Sequence, residues 1–283
     1  MFTGLVQSKL SIRFIIFGIL ISLVTSCSSV KNIRSDAITP NFQSTLTVMT
    51  FNIRFGCGRE KWGDNTNEFF RGCNKKYDDI ITAIRSADPD VVGLQEVTNS
   101  QVRLIANALN MNYVYRSHNS SGYGGWWGNA VLSKFKLVES KRIAIGGSGG
   151  RNRSMVSAIG LVNGGPIAFM SIHTDHRLND NRSIKKILKH VDSLTLPAIL
   201  IGDFNMSPYT LRGYIVAEET DLIDSAGSPG YGEMGTWGGP TGRRIDYVFV
   251  QSKHFKVLDA SLVATEHHRA SDHIAYYTTI ELK

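Results

Sequence analysis

Ile199-Leu200-Ile201-Gly202-Asp203-Phe204-Asn205 is an apolar run that stops abruptly at a carboxylate and an amide. A short apolar stretch, Ala198–Ile201, reads as a strand buried on both faces, with Asp203 and Asn205 where it ends. The same arrangement recurs in both directions along the chain. Asn52 follows Val48-Met49-Thr50-Phe51, Gln95-Glu96 follows Val91-Val92-Gly93-Leu94, and His173 follows Phe169-Met170-Ser171-Ile172. Downstream, Asp246 sits between Ile245 and Tyr247, and Asp272-His273 precede Ile274-Ala275-Tyr276-Tyr277. A carboxylate beside a buried strand costs several kcal/mol unless it is paired or metal-bound. A single residue of this kind is ordinarily a cap or a structural hydrogen bond. A whole set at strand termini points to one shared site.

Around these ends the chain alternates two periodicities. Leu46–Asn52 and Val91–Val97 are β-branched or apolar enough for strands, and Tyr77–Ala87 between them places Ile80, Ile81 and Ile84 on one helical face. Asp88-Pro89-Asp90 stops that helix. A second helix is predicted over Thr98–Leu109 and a third over Arg182–Leu194, with Ile184, Ile187, Leu188 and Val191 inward. Between them, Asn112–Ser117, Gly128–Ser133, Lys136–Ile145, Met155–Val162 and Pro166–Ile172 read as successive strands separated by Gly-rich turns. Ile245–Val250, Lys256–Val263 and His273–Ile280 close the chain as strands. Helices set among runs of consecutive strands predict mixed sheets.

The strand-end residues also share a chemistry. Asn52, Glu96, Asp203, Asn205 and Asp272 offer hard oxygen donors suited to Mg²⁺, Mn²⁺ or Ca²⁺. His173 and His273 supply the proton handling that phosphoester hydrolysis needs. No Cys–His–Asp set accompanies them, which disfavours thiol-based acyl chemistry.

Six segments, in this order, resemble the signature of the endonuclease/exonuclease/phosphatase superfamily, to which deoxyribonuclease I belongs. They are Thr50-Phe51-Asn52-Ile53-Arg54, Leu94-Gln95-Glu96-Val97, Gly128-Asn129-Ala130-Val131-Leu132-Ser133, Ile201-Gly202-Asp203-Phe204-Asn205, Arg244-Ile245-Asp246-Tyr247 and Ser271-Asp272-His273. The resemblance implies an α/β four-layered sandwich, two mixed β-sheets packed face to face and flanked by helices, over residues 45–283. It implies Glu96 as principal metal ligand with Asn52 beside it and Asp272 in the metal shell. Asp203 would orient or deprotonate the attacking water, and Asn205 would bind the phosphate or the transition state. His273 would meet the phosphoryl oxygens or act as base, oriented by Asp246, and His173 would protonate the leaving oxygen.

Several local features are less specific. His173-Thr174-Asp175-His176, with Arg182 opening the next helix, resembles a Thr-His-Leu-Asp-His stretch of bacterial members, with Thr174 where Leu is usual. His176 and Arg182 are therefore candidates for substrate contact, as is Arg153 after a Gly-rich loop, although capping or solvated-turn roles serve as well. Tyr123, Trp126 and Trp127 in a Gly-rich loop would make a platform for a base or a lipid. His267 and His268 read as surface residues.

The N-terminal 27 residues stand apart. Lys9 and Arg13 precede the apolar run Phe14–Val24, and Leu23-Val24-Thr25-Ser26-Cys27 resembles a bacterial lipobox. The expectation is a lipoprotein signal peptide over 1–27, lipidation of Cys27, a flexible tether over 28–44 and an extracytoplasmic, membrane-anchored domain. With Ser28 after the cysteine, the outer membrane is favoured in a Gram-negative cell. Setting aside Lys9 and Arg13 leaves 29 basic residues of 31 against 24 acidic ones, a mild positive balance that suits a polyanion or an anionic membrane. Cys57 and Cys73 are an even pair expected to form a disulfide after export. The function predicted is a Mg²⁺- or Mn²⁺-dependent phosphodiesterase, foremost a nuclease acting on nucleic acid. A sphingomyelinase-like phospholipid phosphodiesterase and a non-catalytic surface module on the same fold are the alternatives, and an inositol-polyphosphate phosphatase ranks below them. No obligate protein partner is inferred.

Overall fold

The computed structural model describes residues 33–34, 44–58, 75–118, 126–149, 152–177, 181–227, 234–267 and 269–283. Its strands are β1 (Ile33–Arg34), β2 (Thr45–Asn52), β3 (Val91–Val97), β4 (Asn112–Ser117), β5 (Gly128–Ser133), β6 (Leu137–Gly146), β7 (Arg153–Val162), β8 (Gly165–His173), β9 (Ala198–Asp203), β10 (Leu222–Asp224), β11 (Asp246–Gln251), β12 (Phe255–Leu262) and β13 (Tyr276–Leu282). The helices are α1 (Tyr77–Ala87), α2 (Asn99–Leu109), α3 (Arg182–Asp192) and α4 (Pro208–Ala217).

Two sheets result, in the orders β1-β4-β5-β3-β2-β13-β12 and β10-β11-β9-β8-β7-β6. Each contains one parallel pair, β2 with β3 and β8 with β9, and is otherwise antiparallel. A parallel neighbour demands a crossover, and α1 and α3 supply the two. Alternation along the strands then builds the layers. Leu46 and Val48 of β2 meet Phe169, Ile199, Ile201 and Val248 in the core between the sheets. Met49 and Phe51, one residue out of phase, pack instead with Ile80, Ile84, Val102 and Ile105 of α1 and α2. Leu200 of β9 and Met170 of β8 do the same against Ile187 and Leu188 of α3 and Leu211 of α4. Three apolar cores between four layers make this the expected α/β sandwich. At Gly93 the sheets approach closely, since a Cβ there would lie 2.6 Å from Ile201 Cγ2.

Local chemistry explains the helix starts. Thr98 caps α2 through its side chain and Gln101 reaches back in a capping box. Ser207 accepts from Thr210 N and Pro208 takes the first helical position of α4. That helix and β10 are not apparent from periodicity. α4 carries Tyr209, Gly213 and Val216 outward, so it lacks the polar face that marks an amphipathic helix. Within the segment expected as a tether, Ile33–Arg34 pairs antiparallel with Tyr113 and Val114. The lipobox and Cys27 lie outside the described residues. So does Cys73; Cys57 is disulfide-bonded.

Candidate active site

Strand register does most of the work of assembly. His173 at the end of β8 is paired with Asp203 at the end of β9, and Asp203 in turn with Asp246 at the start of β11. Three functional side chains thus occupy one row of one sheet. On the facing sheet, Asn52 ends β2 opposite Gln95 of β3. The sheets are tied across this end: Asn52 Nδ2 donates to Asp203 Oδ2 at 3.1 Å, and Gln95 Nε2 donates to Ser171 Oγ at 3.1 Å. Gln95 is fully buried and serves this join, while its neighbour Glu96 turns to the site. A register irregularity between Leu94 and Val97 makes that turn, and it leaves Glu96 with φ of 51°. A left-handed glutamate is strained by roughly 1 kcal/mol or more.

His273 arrives differently from the sequence expectation. The strand it was expected to open begins only at Tyr276, and His273 instead forms an isolated bridge with Trp237. Ser271 fixes the segment by donating to Asn52 O at 2.6 Å and accepting from His273 N at 3.2 Å. Thr236, next to Trp237, accepts from both Ile245 N and Asp246 N. Asp246 and His273 consequently meet, with Nδ1–H donating to Asp246 Oδ2 at 2.8 Å.

One carboxylate oxygen is the hub. Asp203 Oδ2 lies 3.6 Å from His173 Nε2, 3.8 Å from His273 Nε2 and 3.1 Å from Asn52 Nδ2. The two imidazoles hold opposite charge states. Burial opposes charge on His273, but Asp246 beside it, then Asp203 and Asp272, outweigh burial and raise it to about 10. His173 is driven well below its ordinary value by burial first and then by the charge of Arg153. Asp203 itself is raised to about 7, by burial first and the charge of Asp246 second. An imidazolium, a neutral imidazole and a near-neutral carboxyl in contact are an acid–base set.

Glu96 is likewise raised to about 7, through burial and then the charge of Asp272. Its carboxylate lies 4.0 Å from His173 Nε2. Among the described residues, Asp203, Asp246 and His273 also bring ligand atoms within 4.8 Å of one another. That triad is already compensated by the His273–Asp246 hydrogen bond, whereas the charge of Asp272 adds to the cost of ionising Glu96. Hard-donor character and the repulsion between their carboxylates fit a divalent cation at Glu96 and Asp272. Asn52 Nδ2 donates to Asp203 Oδ2, its oxygen accepts from Arg54 N–H at 3.1 Å, and its side chain also hydrogen-bonds Glu96, so it bridges the two acids. Asp272 lies 3.6 Å from Arg54 Nε.

The remaining predicted residues divide. Arg153 is buried 4.7 Å over the Trp127 ring, and its charge bears on Glu96 and His173. Asn205 donates its backbone N–H to Asp203 Oδ1 at 2.9 Å and its amide to Thr174 O at 3.0 Å. Trp127 is buried 5.7 Å from His173, a wall of the site and not a free platform. Trp126 is 48% exposed and lies 5.0 Å from the Phe55 ring, available to a flat ligand. His176 is exposed 3.9 Å from Asp175 Oδ1, and its charge reaches His173. Arg182 opens α3 on the surface. Sequence reading missed His118, fully buried at the end of β4. Its signal was the same strand-end position, masked by the Ser/Asn/Gly-rich stretch that follows. It also missed Asp224, which accepts from Arg244 Nη1 at 2.8 Å and Arg212 Nε at 2.9 Å. This pair anchors the approach to Asp246. Asp224→Ala should leave Arg244 buried without its counter-charge and cost about 3–5 kcal/mol; a loss under about 1 kcal/mol in urea denaturation would refute that role.

The profile of the Endonuclease/Exonuclease/phosphatase family matches residues 49–273, a span that includes every residue of this cluster. The chain belongs to that family. Members of the family hydrolyse phosphoester bonds. Among solved structures, an endonuclease/exonuclease/phosphatase from Bacteroides vulgatus is similar at a TM-score of 0.69 and 19% identity, covering 85% of this chain and 100% of that one. A D. rerio TDP2 complexed with single-strand DNA product is similar at 0.63 and 17%, covering 84% and 100%. A mannosyl-6-phosphatase of Bacteroides thetaiotaomicron VPI-5482 is similar at 0.58 and 22%, covering 84% and 99%. These likenesses establish the fold. No curated protein matches the sequence.

Proposed function

We propose that this family member is a divalent-metal-dependent phosphodiesterase, and that its substrate is nucleic acid. The observation that carries the reading is the meeting of His173, His273 and Asn52 on Asp203 Oδ2. Hydrolysis of a diester must remove a proton from water, neutralise two non-bridging oxygens and supply a proton or hydrogen bond to the leaving oxygen. Asp203, raised to about 7, accepts the water proton. His273, held as imidazolium by Asp246, faces the non-bridging oxygens. His173 presents Nε2 to the leaving oxygen, and Arg153 adds a fixed positive charge. Mg²⁺ or Mn²⁺, held by Glu96 and Asp272, would supply Lewis acidity to the phosphoryl group. Among phosphodiesters, nucleic acid is favoured because exposed Trp126, next in sequence to Trp127 of the site wall, offers a stacking face. The test is cleavage of plasmid DNA, RNA and sphingomyelin by the purified protein in Mg²⁺, Mn²⁺ or chelator. Lipid cleavage without nucleic-acid cleavage would transfer the assignment to the phospholipase branch, and none on any diester would end it.

The lipobox reading extends the proposal to an extracytoplasmic enzyme tethered through Cys27. Cys27→Ala should move the protein from the membrane to the soluble fraction or stop its processing. Unchanged partitioning together with unchanged mass would refute the anchor.

A further inference from the structure

The chemistry above leaves His118 unused. This histidine follows β4, is fully buried, and packs edge-on against Trp127 with ring centroids 4.4 Å apart. Its centroid is 6.3 Å from that of His173. Its neighbours determine where its hydrogen sits. Nδ1 accepts the backbone N–H of Ser154 at 3.0 Å, so that nitrogen carries no hydrogen. Burial, then the charges of Arg153 and Arg142, pushes the ring down to about 3, so it is neutral with its hydrogen on Nε2. That Nε2–H is buried without a hydrogen-bond partner among the described residues, and so is His173 Nδ1. One is a donor lacking an acceptor, and the other is a nitrogen able to accept. A buried donor without an acceptor keeps the cost of its lost hydration. The Ser154 contact accounts for Nδ1 of the ring, but it leaves the buried Nε2–H without a role.

We propose that His118 is a positioning residue that gives its Nε2–H to His173 Nδ1 when substrate is bound, fixing His173 as the tautomer whose Nε2–H is aimed at the phosphoester. The order of bonds is Ser154 N–H to His118, His118 to His173, and His173 to substrate. At the other end His173 Nε2 already lies 3.6 Å from Asp203 and 4.0 Å from Glu96. Hydrogen bonds of this kind are often long without substrate and tighten on its binding. A competing acceptor exists. Asn129 Nδ2 is held by Ser154 O at 2.7 Å and Ser171 O at 3.3 Å, which leaves Asn129 Oδ1 buried without a partner among the described residues.

The inference takes its purpose from the phosphodiesterase reading, but its test does not depend on activity. Imidazole ¹⁵N spectra of the full chain, with and without inorganic phosphate, report each histidine tautomer. His173 and His118 should both be Nε2–H. His118→Phe should turn His173 into a mixture with the Nδ1–H form, and His118→Gln, which keeps a donor, should preserve Nε2–H. Turnover of His118→Phe should fall roughly ten- to a hundredfold, the scale for losing an outer-shell partner, with KM little changed. An Nδ1–H tautomer of His173 in the parent chain overturns the proposal, and that reading needs no variant to fold. So does a His173 tautomer indifferent to both substitutions, which would give the His118 hydrogen to Asn129. If the tautomers behave as stated and no phosphodiester is cleaved, the positioning contact stands and the proposed substrate falls.

Discussion

His273→Ala should lower phosphodiester turnover by at least about a hundredfold, the usual scale for losing an acid–base group, while the chain stays folded. The expectation follows from how the residue is held. Its Nδ1–H is committed to Asp246 at 2.8 Å, its backbone to Ser271, and its Nε2 is left 3.8 Å from Asp203. Asp246→Asn keeps the shape but removes the charge that raises His273 to about 10. The ring would then lose the largest influence that holds it charged, and activity should fall nearly as far. The double variant should lose little more than either alone, because residues acting as one unit are not additive. Stability carries a separate signature. A histidine raised in the folded state stabilises fully below its unfolded value near 6.5, and that contribution is lost as pH rises through about 10. The stability gap between His273→Ala and the parent should therefore be widest in acid and close in alkali. His273→Gln, which can still donate to Asp246 but does not titrate, should have low activity and a stability gap to the parent that still narrows in alkali. Near-normal turnover of His273→Ala on the best substrate would remove the mechanism.

The strand ends were legible because burial makes polar residues conspicuous. Asp203 after Ile199-Leu200-Ile201 and His173 after Phe169-Met170-Ser171-Ile172 lie in apolar context, and their pairing follows once β8 and β9 are parallel neighbours. What periodicity could not carry was the distance between sheets. Asn52 reaches Asp203 because small residues such as Gly93 let the layers approach, and nothing in either strand alone reports that. Trp127 and Trp126 are adjacent and chemically alike, yet one is a buried wall and the other 48% exposed. Only the turn before β5 distinguishes them. Asp224 escaped notice because β10 is three residues long and its meaning depends on Arg244, far along the chain. His273 lies beside Asp246 but on a different element from the one expected, since its position is fixed by side-chain anchors at Ser271 and Thr236 and not by a ladder.

Glu96→Gln should abolish metal-dependent activity at low Mg²⁺ and, at the same time, stabilise the metal-free protein near neutral pH. The two effects have one cause. Glu96 sits at φ of 51° in an irregular turn of β3, with burial and the charge of Asp272 raising its carboxyl to about 7 against an ordinary value of 4.5. The folded state therefore holds a proton that the unfolded chain releases, and stability falls as pH rises from about 4.5 to about 7. Glutamine does not titrate, so the variant should escape that fall. About 21% of the Glu96 side chain meets solvent, which screens the effect and limits the expected gain to roughly 1–2 kcal/mol at pH 8, with none below pH 4.5. Added Mg²⁺ should raise the parent melting temperature most at pH 8, where the carboxylate is ionised and the cation offsets its repulsion with Asp272. At pH 5 the cation competes with a proton and should raise it less. In Glu96→Gln the Mg²⁺-dependent rise should largely disappear at both values. A parent enzyme fully active in excess chelator would exclude the cation from the reaction. A Gln variant that keeps the full Mg²⁺-dependent melting shift would move the cation away from Glu96 and toward the compensated triad of Asp203, Asp246 and His273. The opposed signs are the discriminating feature, because a merely structural glutamate would lose stability on substitution and a metal ligand held at electrostatic cost gains it.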